Sequence, residues 1–134
     1  MKSENMIIES QVDEIILKLK AYFQEDSNVQ FAFIFGSYVK GRQKRGSDLD
    51  VAVFFKNPPE GLDLLGYTNK LSDILEKEVH LVVLNNAPPL LRHQIVKYGI
   101  RLIKKDESLY TRFREKTMTD YEEYKNVSGM NIYD

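Results

Sequence analysis

The sequence contains no cysteine, which excludes disulfides, thiolate metal ligands and thiol nucleophiles. Oxygen and imidazole donors are then the strong metal ligands that remain, so we expect any bound metal to be a hard cation. The chain also lacks a long apolar run. Its longest runs, such as residues 31–35, are far shorter than the roughly 20 residues that cross a bilayer, so we expect no contact with a membrane.

Neither sign of charge dominates. The 19 basic and 20 acidic side chains give a formal net charge of −1, which provides no general attraction to nucleic acid. We therefore expect no direct binding of nucleic acid. The opening residues, which include Lys2, Glu4 and Glu9, lack the apolar stretch of a secretory signal, and we expect a cytoplasmic protein.

The 134 residues, 43% hydrophobic and 29% charged, have the size and composition of one compact globular domain. We predict a single domain over residues 1–134, with a loose tail from about residue 126. No internal repeat and no low-complexity segment divides the chain.

Hydrophobic periodicity predicts alternating helices and strands. Apolar residues recur at steps of three and four over residues 8–23, as in an amphipathic helix. Residues 29–35 are apolar on both alternating faces, which favours a central strand that is covered on both sides. Residues 48–55 form a second strand, with Leu49, Val51 and Val53 turned inward and the acids on the opposite face.

The later elements are predicted in the same way. Gly99 suits the left-handed position that ends a helix. The predicted elements are a helix over residues 64–75, a strand over 79–84, a helix from Pro88 and Pro89 to Gly99, an edge strand over 100–103 and a helix over 107–125. This order indicates an α/β (α+β) sandwich with a mixed β-sheet flanked by helices.

One stretch, GSYVKGRQKRGSDLD, combines two motifs: the pair Gly36 and Ser37, then ten residues, then Asp48-x-Asp50. Gly36 lacks a Cβ, so the backbone can turn sharply there and approach a ligand closely. Ser37 would open a short helix whose free amide groups suit phosphate oxygens. Asp48 and Asp50 point to one face about 6–7 Å apart along a strand, where they can bind Mg²⁺. The combination predicts a site for a metal-bound nucleoside triphosphate.

Between the motifs lies a basic cluster, Lys40, Arg42, Lys44 and Arg45. Such a cluster is often a solvated loop, but here it could also steer a triphosphate toward the site. We assign Arg42 and Ser47 to nucleotide binding, together with Gly36 and Ser37.

Residues 29–55 resemble the nucleotidyltransferase superfamily that includes DNA polymerase beta and the kanamycin nucleotidyltransferases. The short chain and the stretch VHLVVLNNAPPLLRHQIVKYGIRLI, residues 79–103, resemble the minimal nucleotidyltransferases of the MNT (MntA) type. This resemblance implies the nucleotidyltransferase fold, Mg²⁺ as cofactor and ATP as substrate. It also implies a partner of the HEPN ribonuclease type, a toxin onto whose tyrosine hydroxyl such an antitoxin transfers AMP.

His80 stands where the resembling proteins carry a third carboxylate. Imidazole can act as a general base near neutral pH, so we include His80 with Asp48 and Asp50 among the catalytic candidates. Imidazole is a better ligand for Mn²⁺ or Zn²⁺ than for Mg²⁺, which leaves Mn²⁺ as an alternative cofactor. Glu78, two positions earlier on the same face, could replace the missing acid, and a polar residue without a catalytic role is the other interpretation of His80.

Two functions follow from these residues taken together with what the resemblance implies. The first is a metal-dependent nucleotidyltransferase that transfers AMP to a hydroxyl of a HEPN toxin, with Asp48 and Asp50 on the metal. The second is a catalytically impaired antitoxin that neutralises the ribonuclease by complex formation; a small-molecule acceptor is a weaker third alternative. His93 has no partner at metal-ligand spacing and is expected at the surface. The aromatic stripe that begins at Tyr110 is expected in the core.

Overall fold

The computed structural model describes residues 4–39 and 48–128. Two short 3₁₀ turns, Gly36–Tyr38 and Leu84–Asn86, occur besides the longer elements. The longer elements of the described residues are α1 (Glu4–Glu25), β1 (Val29–Phe35), β2 (Leu49–Phe55), α2 (Gly61–Leu75), β3 (Val79–Val83), α3 (Pro89–Tyr98), β4 (Ile100–Lys104) and α4 (Glu107–Ser128). Every helix and strand predicted from periodicity is present within a few residues of its expected ends.

The four strands form one mixed sheet in the order β3-β2-β1-β4. β1 is antiparallel to both β2 and β4, whereas β2 and β3 are parallel. The expected mixed sheet and the edge position of β4 are therefore confirmed. The registers pair Phe35 with Asp50, and Asp50 with His80, so the carboxylate lies between the end of β1 and the start of β3.

Helices cover both faces of the sheet, as the fully apolar β1 predicts. On one face α1 and α2 pack through Phe23 and Leu71 against Leu49, Val51 and Val53, which are completely buried. On the other face α3 and α4 pack against a second cluster, whose members include Phe31, Phe33, Ala52, Ile95 and Phe113. Because side chains alternate along β2, Asp50 belongs to the second face, the face of α3 and α4.

α3 is fixed to the rest of this layer by a buried arginine. Arg92 donates to the carbonyl oxygen of Ala87 at 3.0 Å and to Asp120 Oδ2 at 2.8 Å, and its third contact is Thr117 Oγ1 at 3.4 Å. It is only 9% exposed. A buried charge is tolerated when it is paired and hydrogen-bonded, so Arg92 holds the start of α3 against the middle of α4.

The prediction of a left-handed conformation at Gly99 is wrong. Gly99 is extended, with φ −73° and ψ 162°, and the left-handed residue at a helix end is Glu76, with φ 52°, after α2. Glycine is still needed at position 99, because a Cβ there would lie 2.5 Å from the carbonyl oxygen of Ile95 and 3.2 Å from that of Ile34. The close contact holds the end of α3 against β1.

The last helix extends to Ser128, three residues beyond the predicted end. The remaining tail, from residue 129 on, lies outside the described residues. Within residues 4–39 and 48–128, none of the helices combines the length and the apolarity needed to span a membrane.

Candidate active site

The backbone turn after β1 is built around a glycine that touches a carboxylate. Gly36 has φ +77°, a conformation that side chains with a Cβ adopt rarely. A Cβ at this position would lie 2.2 Å from Oδ2 of Asp50. The glycine thus gives the chain its turn and also makes room for the acid on the neighbouring strand.

Ser37 lies in the 3₁₀ turn that follows, as the predicted short helix requires. Val39 N–H donates to the carbonyl oxygen of Gly36 at 3.1 Å and closes the turn. Tyr38, 8% exposed, packs into the core beneath α1 and α2. The turn is therefore anchored by Tyr38, its last residue.

One carboxylate oxygen of Asp50 faces the turn, and the other faces a histidine. His80 lies opposite Asp50 on the parallel strand β3, and its Nδ1 is 3.1 Å from Asp50 Oδ1. The Asp50 side chain is 26% exposed and that of His80 is 69% exposed. The carboxylate is thus oriented from both sides, while the imidazole remains accessible to solvent.

Asp48 and Glu78 flank this pair. Asp48 directly precedes β2 and is exposed, and Glu78 directly precedes β3 and is also exposed. The backbone holds the two strand ends together, because Leu49 N–H donates to the Glu78 carbonyl oxygen at 3.0 Å. Across the part of the chain that the structure describes, no three carboxylate or imidazole side chains gather closely enough to bind a metal alone.

The donor set nevertheless fits a divalent cation. The Asp50 carboxylate and the His80 nitrogen present two ligand atoms side by side at an accessible edge. Asp48, exposed, lies two residues earlier in the chain. A site with few protein ligands is the usual arrangement where substrate phosphates and water complete the coordination of the metal.

The basic cluster between the motifs is not placed. Lys40, Arg42, Lys44, Arg45 and Ser47 lie outside the described residues, so the assignment of Arg42 and Ser47 to nucleotide binding remains a prediction.

The end of α3 borders the glycine turn, which sequence reasoning missed. A small cavity of about 80 Å³ is lined by Phe35, Gly36, Val39, Gln94 and Tyr98. Tyr98 is 51% exposed although it belongs to a core-facing helix. Tyr98 follows buried Ile95 by three residues, a helical spacing that predicts an inward position. Its place beside the site becomes visible only from its neighbourhood with Gly36.

The expectation that His93 lies at the surface is met only in part, because the residue is half-buried. Its ring stacks on Tyr121 with the centroids 3.7 Å apart and the planes 6° apart, and its Nδ1 is buried without a hydrogen-bond partner in the described structure. Burial and the nearby Lys97 lower the pKa of His93. A cavity of about 690 Å³ between α3 and α4 includes His93 but none of the predicted site residues. The aromatic stripe of α4 is confirmed as core at Tyr110 and Phe113.

Comparison with known proteins agrees with this geometry. Residues 17–108 match the family model described as "Polymerase beta, Nucleotidyltransferase". The protein adenylyltransferase MntA of Shewanella oneidensis is 33% identical over 96 residues, which cover 70% of this chain and 67% of that protein.

Two solved structures share the fold. A toxin–antitoxin complex with AMP-PNP contains a chain with a TM-score of 0.73 and 28% identity, and the match covers 92% of this chain and 96% of that one. A complex of a tri-AMPylated Shewanella oneidensis HEPN toxin with its MNT antitoxin gives a TM-score of 0.68 at 24% identity, covering 95% and 97% of the two chains. The second likeness establishes the fold alone.

Proposed function

Because the chain belongs to the polymerase beta nucleotidyltransferase family, we propose that it transfers AMP from ATP to a hydroxyl of a HEPN-type toxin, as an antitoxin of the MntA type. The observation that carries this proposal is the contact of Gly36 with the Asp50 carboxylate at the end of β1. That contact unites the two halves of the motif, which are separated along the chain, in one site.

The acids of β2 provide the metal-binding part of the proposed site. Asp48 and Asp50 would hold a divalent cation, which would neutralise triphosphate charge and so favour the departure of pyrophosphate. The protein's own contribution is the orientation of Asp50. Gly36 limits the position of Oδ2, and His80 contacts Oδ1, so the carboxylate is held in place before substrate arrives.

The turn after β1 provides the phosphate-binding part. Without a Cβ at Gly36, a triphosphate can approach the backbone closely, and the hydroxyl of Ser37 adds a hydrogen-bond donor. Because this turn contacts Asp50, phosphate oxygens bound by the turn would lie next to the carboxylates that we assign to the cation. We assign Arg42 and Ser47 to the same triphosphate.

The relatives support ATP as the donor of AMP and a protein as its acceptor. The Shewanella oneidensis relative is a protein adenylyltransferase, which acts on a protein rather than on a small molecule. The structural neighbour at 28% identity belongs to a toxin–antitoxin complex and was crystallised with AMP-PNP, an analogue of ATP. An ATP-dependent reaction on a toxin partner is therefore the proposal that agrees with both relatives.

The test is transfer of label from [α-³²P]ATP to a co-purified HEPN partner, with Mg²⁺ and Mn²⁺ in separate reactions. We expect the wild-type chain to label the partner and the double variant Asp48→Asn, Asp50→Asn to label nothing. The matched control replaces the exposed aspartates Asp13 and Asp73 by asparagine, which alters the charge equally and should leave labelling intact. If the wild-type chain labels the partner neither with Mg²⁺ nor with Mn²⁺, transferase activity is refuted.

A second function, neutralisation by binding alone, is favoured by His80 at the place of a family carboxylate. In this case the variant with Asp48→Asn and Asp50→Asn should still rescue growth of cells that express the toxin. The enzymatic proposal predicts loss of rescue although the complex still forms. Growth measured together with co-purification separates the two.

A further inference from the structure

The hydrogen-bonding contact between Asp50 and His80 also has a separation that two ligands of one metal ion can adopt. Neighbouring ligands in an octahedral site with bonds of about 2.1 Å are separated by about 3.0 Å. The observed distance from His80 Nδ1 to Asp50 Oδ1 is 3.1 Å. A cation could therefore contact both atoms while the two strands stay in their present register.

We propose that His80 Nδ1 and Asp50 Oδ1 bind the cation together, and that this pair makes the site prefer a first-row transition metal such as Mn²⁺ to Mg²⁺. The inference rests on the proposed function, since it concerns the cation of the same nucleotidyltransferase site. It assigns to His80 the role of a metal ligand.

The backbone fixes this pair. Asp50 and His80 are register partners on the parallel strands β2 and β3, with buried Ala52 and its partner Val82 next along the same face. The position of Gly36 leaves space for Oδ2 and turns Oδ1 toward the imidazole. The pair is thus set by the sheet and by the glycine turn, and needs little reorganisation to bind a cation.

The donor atoms determine the preference. Mg²⁺ prefers oxygen ligands and gives up its water reluctantly, whereas transition metals bind imidazole nitrogen well. Because no cluster of three donor side chains occurs among the described residues, the imidazole forms a large share of the protein's ligands. Triphosphate oxygens and water at the remaining positions suit Mn²⁺, which accepts both oxygen and nitrogen.

Accessibility agrees with this role. The His80 side chain is 69% exposed, so a hydrated cation and a nucleotide can reach the pair without movement of the sheet. Glu78, exposed and two residues earlier, is the other side chain of this strand end that could bind a cation. It therefore supplies the matched comparison.

The experiment measures metal binding by the purified full chain, without toxin and with AMP-PNP. Free Mn²⁺ is quantified by electron paramagnetic resonance, and Mg²⁺ is added as competitor. We expect wild type to keep Mn²⁺ against a tenfold excess of Mg²⁺. His80→Ala should weaken Mn²⁺ binding by at least roughly tenfold, the effect of losing one supporting group at a metal site. His80→Asp should bind Mg²⁺ nearly as well as Mn²⁺, and Glu78→Gln should match wild type.

A second readout reports the ligand directly. Electron spin echo modulation of bound Mn²⁺ should show a nitrogen coupling in wild type and in His93→Asn, which removes the chain's other imidazole, and no coupling in His80→Ala. Three outcomes would overturn the inference and leave the transferase proposal standing. They are equal Mn²⁺ affinity of wild type and His80→Ala, absence of the nitrogen coupling in wild type, and a wild-type preference for Mg²⁺. Failure of wild type to bind either cation would overturn the metal-dependent function itself.

Discussion

Gly36→Ala tests the contact on which the active site depends. The added Cβ would lie 2.2 Å from Asp50 Oδ2 and 3.1 Å from Asp50 Cγ. Carbon and oxygen atoms that are not bonded do not approach so closely, so the carboxylate must rotate or shift by roughly 1 Å, a displacement that can reduce an enzymatic rate about 100-fold. The shift also carries Oδ1 away from His80.

The same substitution strains the backbone. With φ at +77°, an alanine at position 36 costs about 1–2 kcal/mol relative to glycine. We therefore expect a folded protein with moderately lower stability, but with AMP transfer reduced about 100-fold. The loss of activity should exceed what the change in the folded fraction explains.

Gly66→Ala is the matched control. A Cβ at Gly66 meets nothing within 4 Å, and the residue lies inside α2, where alanine stabilises a helix by roughly 1 kcal/mol relative to glycine. Urea unfolding and the labelling assay are measured on both variants. If Gly36→Ala transfers AMP at the wild-type rate, the proposed close contact of turn, carboxylate and triphosphate is wrong.

Three further substitutions test the layer of α3 and α4. Gly99→Ala places a Cβ 2.5 Å from the backbone oxygen of Ile95, so urea unfolding should show a loss of about 1–3 kcal/mol. The hydrogen bond from Arg92 lowers the pKa of Asp120, so the ionised acid stabilises the fold above pH about 3.9, and this stabilisation is lost as the pH falls through the lower folded-state pKa. Arg92→Met should therefore be less stable than wild type at pH 7, by a difference that shrinks in strong acid. Burial lowers the pKa of His93, so wild type should lose thermal stability as the pH falls below about 6.5, and His93→Phe should lose less between pH 7.5 and 5.5. An unchanged pH dependence in either variant would contradict these assignments.

Local sequence patterns were sufficient to predict the fold and the part of the site that Gly36 and Asp50 form. Alternation along β2 placed Val51 in the core and Asp50 on the opposite face, and the structure agrees. The meeting of Gly36 and Asp50 was also accessible from the sequence, since two consecutive antiparallel strands bring the end of the first beside the start of the second.

The part of the site that Asp50 and His80 form depends on the pairing of two strands that lie far apart in the chain. Asp50 and His80 meet because β2 and β3 are parallel and in register, and helix α2 lies between them in the chain. Periodicity predicts each strand but does not fix a parallel register to one residue. Gly99 illustrates a different limit. A glycine at a helix end suggested a left-handed turn, but the constraint was a close approach to Ile34 and Ile95 that no local pattern reveals.

The two histidines show why the site had to be argued from position rather than from residue type. Both side chains are imidazoles with polar residues nearby in the sequence. His93 stacks on Tyr121 between two helices, whereas His80 is exposed at a strand end beside a carboxylate. Burial opposes a charge or a cation at the first, because the group would lose water without gaining a partner. At the second, water remains available and Asp50 supplies the opposite charge. A cation would therefore bind at His80 and not at His93, which agrees with the sequence, where His93 has no partner at metal-ligand spacing.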